Sequence, residues 1–383
     1  MTRLLLSAGE ASGDLHGADL ARALLAQKPG ASLFGMGGPL MRDAGVELLF
    51  NPTSMSTVGF VEALRSVNVL RRVLARLGAA MDERRPDALV CIDFPGFNMR
   101  LAALAHSKGI PVLYYFSPTV WAWGKGRADK LAQLDVTILA VFPFEAEAYR
   151  QAGCRVEFVG HPLLDRVRPS ADRETLRREF GVAGDQLLVA ILPGSRVQEL
   201  AHLLAPMLAA ARIVLSQRPG TRFVLPVAHT LNVEDVQKMV ADAGPLPVDV
   251  VKGRAYDVLG AADAAMISMG TATLEAALLG VPHVACYRVS GATYQLARFL
   301  VKLPHVALPN IILGREVVPE LLQSRVTADN LARELLELLE PARNAAVRAE
   351  LAQVRSRMGE GGAVARAAAA VLARAGAGAA GAG

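Results

Sequence analysis

The sequence predicts an α/β protein made of two doubly wound, Rossmann-like domains that face each other across a cleft. Three observations predict it. At 383 residues the chain exceeds what one ordinary core holds and suits two domains of similar size. Short, fully apolar runs alternate with amphipathic stretches almost from end to end, the pattern of parallel strands covered on both faces by helices. The alternation breaks at one polar joint, "RVRPSADRE", and then resumes. An N-terminal domain is therefore expected over 1–165 and a C-terminal domain over 166–340. Helices follow over 341–373, with a return to the first domain as one option. The tail 374–383, low-complexity "AGAGAAGAG" at its core, reads as disordered.

In the first block the strands are "RLLLSA", "LFGM", "ALVCID", "VLYYFS", "TILAVF" and "RVEFVG"; in the second, "LLVAIL", "RFVLPV", "VDVV", "AAMIS" and "HVACYR". Ligands of such sheets sit beyond the C-terminal strand ends, so the segments that follow the strands carry the chemistry.

Composition narrows the partners. Hydrophobic residues make up 52% and aromatics only 5%, so the cores are aliphatic. Lys+Arg number 41 against 36 Asp+Glu, a net +5 that argues little for nucleic acid and suits anionic ligands or an anionic membrane surface. Cys91, Cys154 and Cys286 are scattered and odd in number, which reads as reduced core residues of a cytosolic protein. The seven histidines show no metal-ligand spacing and no D-x-D pair occurs, so neither metal nor cofactor is expected. The first apolar run is too short for a signal peptide, and no run reads as long and apolar enough to span a bilayer. A soluble, cytoplasmic chain is expected.

Each candidate segment carries two readings. In "SAGEASGD", Gly9 and Gly13 permit a tight strand-to-helix turn. Ser12 or Asp14 either caps the following helix or, with Glu10, the loop faces a ligand. The spacing is not G-x-G-x-x-G, so a dinucleotide site is a poor match. In "CIDFPGFN", Asp93 ends an apolar strand, Pro95 blocks its extension and Asn98 begins a helix. A carboxylate there is placed for a general base, the alternative being a local turn cap. "YYFSPTVWAWGKGRADK" holds the only two tryptophans, Trp121 and Trp123, beside Lys125, Arg127 and Lys130. Such a set suits sugars and phosphates, or else the pair packs a domain interface.

In "LLVAILPGSRVQELAHLLAPML" a strand turns through Gly194 into a helix. The free N–H groups of that helix start, the Ser195 hydroxyl and the Arg196 guanidinium make a phosphate seat, against a plain βα turn. A weaker copy occurs in "AAMISMGTATLEAALLG", where Gly270 and Thr271 lead into a helix carrying Glu275. That carboxylate accepts both hydroxyls of a ribose or serves as a capping acid. Together the two turns fit a nucleoside diphosphate. His161 in "VGHPLLD" reads as structural near the domain joint, the alternative being that it faces the cleft. In "TVGFVEALRSVNVLRRVLARLGAAM", Phe60, Leu64, Val67, Leu70, Leu74 and Leu77 share one helical face opposite Arg65, Arg72 and Arg76. This is either a helix docked on its sheet or a basic amphipathic surface for lipid.

Taken in order, "AGEASGD", "CIDFPGFN", "SPTVWAWGKGR", "PFEAEAYRQAG", "FVGHPLLD", "LPGSR", "GTATLEAALLGVP" and "LPNIILGREVVPELLQ" resemble the lipid-A-disaccharide synthase family over nearly the whole chain. The resemblance implies a GT-B glycosyltransferase with an acceptor-binding first domain and a UDP-sugar-binding second domain. The reaction implied moves 2,3-diacylglucosamine from UDP to the 6-hydroxyl of 2,3-diacylglucosamine 1-phosphate without a metal, inverting configuration and releasing UDP. It implies Asp93 as base, Gly194, Ser195, Arg196, Gly270, Thr271, Glu275 and Asn310 at the donor, with Glu320 and Gln323 near Asn310. Glu10, Ser12, Trp121, Lys125 and Arg127 fall on the acceptor side. Acylated substrates also favour Phe60, Leu64, Val67 and Leu70 as membrane-facing, with the enzyme on the inner face of the inner membrane. The chain departs from the family pattern at Gly96, Gly124 and Met269, which bears on the acceptor more than on UDP. A UDP-sugar 2-epimerase and a non-catalytic sugar-binding protein are the competing readings.

Overall fold

The protein, seen here as a computed structural model, is described over residues 2–52, 60–118, 125–288 and 304–380, with backbone alone at 60–67, 125 and 378–380. It divides into two units, residues 1–162 with 360–383, and residues 163–359.

The first unit holds β1 (Arg3–Ala8), β2 (Ser32–Met36), β3 (Glu47–Phe50), β4 (Ala88–Ile92), β5 (Val112–Tyr115), β6 (Thr137–Ala140) and β7 (Arg155–Phe158) in the order β3-β2-β1-β4-β5-β6-β7. All pairs are parallel. Because successive strand side chains point to opposite faces, β1 and β4 feed two cores. Leu4, Leu6 and Val90 pack with Leu20 and Leu24 of α1 (Ala11–Gln27) and Met41 of α2 (Pro39–Asp43), while Leu5, Leu89 and Cys91 pack with Leu77 of α3 (Phe60–Arg84) and Leu101 of α4 (Pro95–Ser107). Each fully buried leucine stabilises the fold by about 1.5–3 kcal/mol, and the one buried polar residue of β1 and β4 is Ser7.

The second unit holds β8 (Leu188–Leu192), β9 (Arg222–Val227), β10 (Val248–Lys252), β11 (Ala264–Ser268), β12 (His283–Tyr287) and β13 (Glu320–Leu322), ordered β10-β9-β8-β11-β12-β13 and again parallel. In each sheet the strand order reverses once, between β1 and β4 and between β8 and β11. That reversal opens a crevice at the carboxyl ends.

Four expectations change. Strands β3 and β13 are additional; both are short edge strands, and β3 is only half-buried, so neither reads as an apolar run. The helix Val197–Gln217 is long and apolar enough by composition to cross a membrane, against the expectation of no such run. Its apolarity serves the core, since Leu200, Leu203, Leu204, Met207, Leu208 and Val214 are buried. The second unit extends past 340 to include the helix Pro341–Met358, whereas Ala363–Ala380 belongs to the first and packs on α1, the return that was one option. That last helix runs through 374–380, assigned by composition to a disordered tail. Ala367, Ala368, Val371 and Ala375 are buried in it, their small side chains permitting close approach to α1. Cys91, Cys154 and Cys286 are buried free thiols, as expected.

Candidate functional site

At the first reversal the backbone is strained. Asp93 and Phe94 follow β4 with φ of +50° and +49°, a left-handed pair that non-glycine residues adopt only when held. The holding is done by Asn98, fully buried in the first turn of α4. Its amide nitrogen donates to the carbonyls of Asp93 at 2.8 Å and Ser7 at 3.1 Å, and its oxygen accepts the Ser7 hydroxyl at 2.6 Å. The Tyr114 hydroxyl donates to the Asp93 carbonyl at 2.8 Å. Asn98 therefore ties the ends of β1 and β4 together. Gly9, following β1, admits the Phe94 ring, because a Cβ there would lie 2.2 Å from ring carbons.

The Asp93 carboxylate sits at 3.4 Å from the Ser12 hydroxyl. Burial pushes its pKa up, partly opposed by hydrogen bonds from the Phe94 N–H and from Ser12. A carboxylate shifted this way is a stronger base. Neither Ser12 nor Asp14 caps α1, so the cap reading of this loop is not the one observed; Glu10 holds the cap position without a side-chain cap. Asp14 instead accepts the N–H groups of Gly38, Leu40 and Met41 at 2.8, 3.0 and 2.9 Å, capping the neighbouring helix Pro39–Asp43.

Trp121 and Trp123 lie outside the described residues, as does the Lys125 side chain, while Arg127 and Lys130 are exposed on the helix Lys125–Gln133. The segment leading there is anchored by residues the sequence did not reveal. Glu145 is buried and accepts the Ser117 hydroxyl at 2.6 Å and the Val141 N–H at 3.0 Å; burial pushes its pKa up. The Pro143-Phe144-Glu145 helix start was the available signal for that role. Phe116 stacks on His16 at 3.8 Å and meets the buried His161 edge-on at 5.5 Å. The side chains of Phe60, Leu64 and Val67 lie outside the described set. Leu70, expected to face lipid, packs with Leu74 against the core of the first unit.

At the second reversal lies a cavity of about 980 Å³. Gly194, Ser195 and Arg196 line it from the turn after β8, and Gly270 and Thr271 from the turn after β11. Gly194 has φ +124°, open to glycine and strained for any other residue. The Ser195 N–H donates to Glu199 at 2.9 Å, and the Thr230 hydroxyl, from the segment after β9, bonds the Ser195 carbonyl. Glu275 lines the same cavity from the helix Thr271–Leu278. It accepts the hydroxyl of Tyr256 at 3.0 Å and stands beyond the first turn of its helix, so the capping-acid alternative does not describe it. Burial pushes its pKa up, with the Tyr256 hydrogen bond and the Arg166 charge opposing. Arg166, His229 and Tyr256 are lining residues the sequence did not single out; no local pattern marks them.

Asn310 departs from expectation. It is fully buried and does not line this cavity. Its oxygen accepts the N–H groups of Val317 and Val318, and its nitrogen donates to the Val318 carbonyl and to Glu320 at 2.8 Å. Glu320 in turn accepts the N–H groups of Val306 and Ala307. The pair holds a loop, with both N–H groups and the oxygen of the Asn310 side chain engaged there. Among the described residues, no group of three or more His, Cys, Asp or Glu is disposed to hold a metal ion.

The family model for lipid-A-disaccharide synthetase matches residues 4–373. The chain is 44% identical over 371 residues to the lipid-A-disaccharide synthase of Geobacter sulfurreducens, covering 97% of this chain and 96% of that one. It is 43% identical over 366 residues to that of Syntrophus aciditrophicus, covering 95% and 96%. Two solved structures share the fold. Phytolacca americana UGT2, complexed with UDP-2-fluoro-glucose and pterostilbene, superposes with a TM-score of 0.64 at 15% identity, covering 98% of this chain and 100% of its own. An enzyme described as a putative UDP-N-acetylglucosamine 2-epimerase from Listeria monocytogenes gives 0.63 at 15% identity, covering 97% and 95%.

Proposed function

The chain belongs to the lipid-A-disaccharide synthase family of GT-B glycosyltransferases, and from that premise we propose the chemistry its two sites perform. The enzyme moves 2,3-diacylglucosamine from UDP to the 6-hydroxyl of 2,3-diacylglucosamine 1-phosphate. The second unit takes the UDP-sugar and the first takes the acceptor. One observation carries this reading: the Gly194–Arg196 turn and the Glu275 carboxylate line a single cavity at the strand-order reversal. A diphosphate suits the turn, and ribose hydroxyls suit the carboxylate.

In the reaction, the acceptor oxygen attacks the anomeric carbon as the bond from that carbon to the β-phosphate oxygen breaks. Configuration inverts. Asp93 takes the hydroxyl proton, helped by the burial that raises its basicity. Charge growing on departing UDP is met by Arg196 and by the N-terminus of the helix that begins at Val197. The fold alone is shared with a UDP-sugar epimerase; the relatives at 43% and 44% identity favour transfer.

The substrates' acyl chains bring the enzyme to the inner face of the inner membrane as a peripheral protein. Exposed Arg71, Arg72 and Arg76 on α3 suit an anionic surface.

The test uses purified protein, UDP-2,3-diacylglucosamine and the acylated monosaccharide 1-phosphate in detergent micelles, with disaccharide followed by mass. Disaccharide from wild type, and its loss in Asp93→Ala and Arg196→Ala, supports the reading. UDP binding without disaccharide rules out this acceptor and directs attention to Gly96 and Gly124.

A further inference from the structure

We propose that Tyr256 is a positioning residue that orients the Glu275 carboxylate toward the ribose of the UDP-sugar and thereby sets how strongly the site demands ribose hydroxyls. The inference rests on the reading of Glu275 as the ribose acceptor.

Tyr256 and Glu275 come from different parts of the sheet. Tyr256 stands in the first turn of the helix Ala255–Ala261, after β10, and Glu275 follows β11. Strands β9 and β8 lie between β10 and β11 in the sheet. The tyrosine therefore reaches along the carboxyl edge of the sheet to place its hydroxyl 3.0 Å from Glu275 Oε1. Both residues are half-buried and both line the 980 Å³ cavity.

The start of the tyrosine's helix is itself fixed. Arg254 precedes it with φ +59° and bonds Asp257 at 2.9 Å and Glu179 at 2.6 Å. Asp257 also accepts the Ser170 N–H at 2.7 Å. The hydroxyl is thus presented from a braced turn.

A carboxylate without a fixed neighbour rotates about its terminal torsion with little hindrance. One hydrogen bond from a phenol stops that rotation and occupies a single acceptor position of the roughly four a carboxylate offers. The remaining positions suffice for two ribose hydroxyls. Pre-setting the acceptor removes an ordering cost that binding would otherwise carry. Because Glu275 meets only the sugar hydroxyls in this reading, the effect appears in discrimination between ribose and deoxyribose rather than in phosphate affinity.

The experiment is calorimetric binding of UDP and 2′-deoxy-UDP to the full chain, as wild type, Tyr256→Phe, Glu275→Gln and the double variant. Phenylalanine keeps the ring and its packing, and unchanged thermal unfolding verifies that. The expected result is a fall of about five- to tenfold in UDP affinity for Tyr256→Phe, with a smaller fall of about two- to threefold for 2′-deoxy-UDP, which offers Glu275 only its 3′-hydroxyl. Glu275→Gln should bring the two ligands close to parity, and the double variant should match it. A Tyr256→Phe protein that keeps wild-type discrimination while Glu275→Gln loses it overturns the role of Tyr256. If Glu275→Gln leaves discrimination untouched, the ribose assignment fails and the positioning role falls with it.

Discussion

Glu199 and Arg196 form an ion pair at 3.2 Å, one turn apart at the start of the helix Val197–Gln217, and the same carboxylate accepts the Ser195 N–H at 2.9 Å. The donors proposed for a diphosphate thus already hold an internal anion. The pair is cheap to open: Arg196 is 76% exposed, and an exposed i,i+3 pair is worth a few tenths of a kcal/mol.

From this follows a gain by mutation. Glu199→Gln keeps an oxygen that can accept the Ser195 N–H and removes the competing charge. UDP should bind about two- to fivefold more tightly at low ionic strength, with the gain shrinking as salt screens it. Calorimetry at two salt concentrations measures it. Weaker UDP binding by the variant would mean that Glu199 positions Arg196 instead of competing for it.

Asp93 couples activity to stability. Its folded pKa is raised by burial, so between its unfolded and folded values the folded state binds the extra proton. Stability is therefore higher at acid pH and declines as pH rises through the folded pKa. At neutral pH the ionised carboxylate is a net cost. Asp93→Asn should raise the melting temperature by about 2–4 °C for each kcal/mol relieved and lower turnover by about 10²–10⁴. The wild-type kcat/KM profile should show its acid limb above the ordinary aspartate value of about 3.9. A limb at or below that value removes Asp93 as the base.

The strands were legible where burial on both faces left an unbroken apolar run, as in β4 and β8, and illegible at the half-buried edge β3. The turns at Asp93 and Gly194 were legible because chemistry-bearing residues follow a strand directly. What escaped were partnerships across long sequence separations. Asp14 lies 24 to 27 residues from two of the N–H groups it caps, Asn98 lies 91 residues from Ser7, and Tyr256 lies 19 residues from Glu275. No local pattern encodes such pairs, so the readings left Asp14 between its own helix and a ligand and put Asn310 at the donor.

Asn98 should be the most sensitive polar residue of the first unit. Asn98→Ala strips the Ser7 hydroxyl of its acceptor and removes one of the two donors on the strained Asp93 carbonyl. Leaving such groups buried costs about 1–3 kcal/mol each. The expected outcome is a destabilisation of about 2–4 kcal/mol by urea unfolding, with turnover lost even where the protein remains folded. Retained activity in folded Asn98→Ala would show that the Asp93–Phe94 conformation holds without it.

The second unit should be labile to acid through His283. Its Nδ1 lies 2.8 Å from the Val281 carbonyl, which can only accept, so Nδ1 carries the proton and Nε2 is buried with no partner among the described residues. Burial lowers the pKa from 6.5 to about 4. The unfolded chain therefore takes up a proton between those values while the folded chain does not. Stability is fully present above pH 6.5 and is lost as pH falls through the window to about 4, by about 3 kcal/mol for a shift of this size. Carboxylates elsewhere add their own slope, so the informative quantity is the difference from a variant that cannot titrate. His283→Asn retains an amide N–H for the Val281 carbonyl and has no charge to gain. Urea unfolding at pH 7, 6, 5 and 4.5 should show the wild type losing stability faster than the variant across that range. Parallel slopes would mean that His283 takes up its proton over the same pH range folded as unfolded, and the buried Nε2 would then have to be solvated.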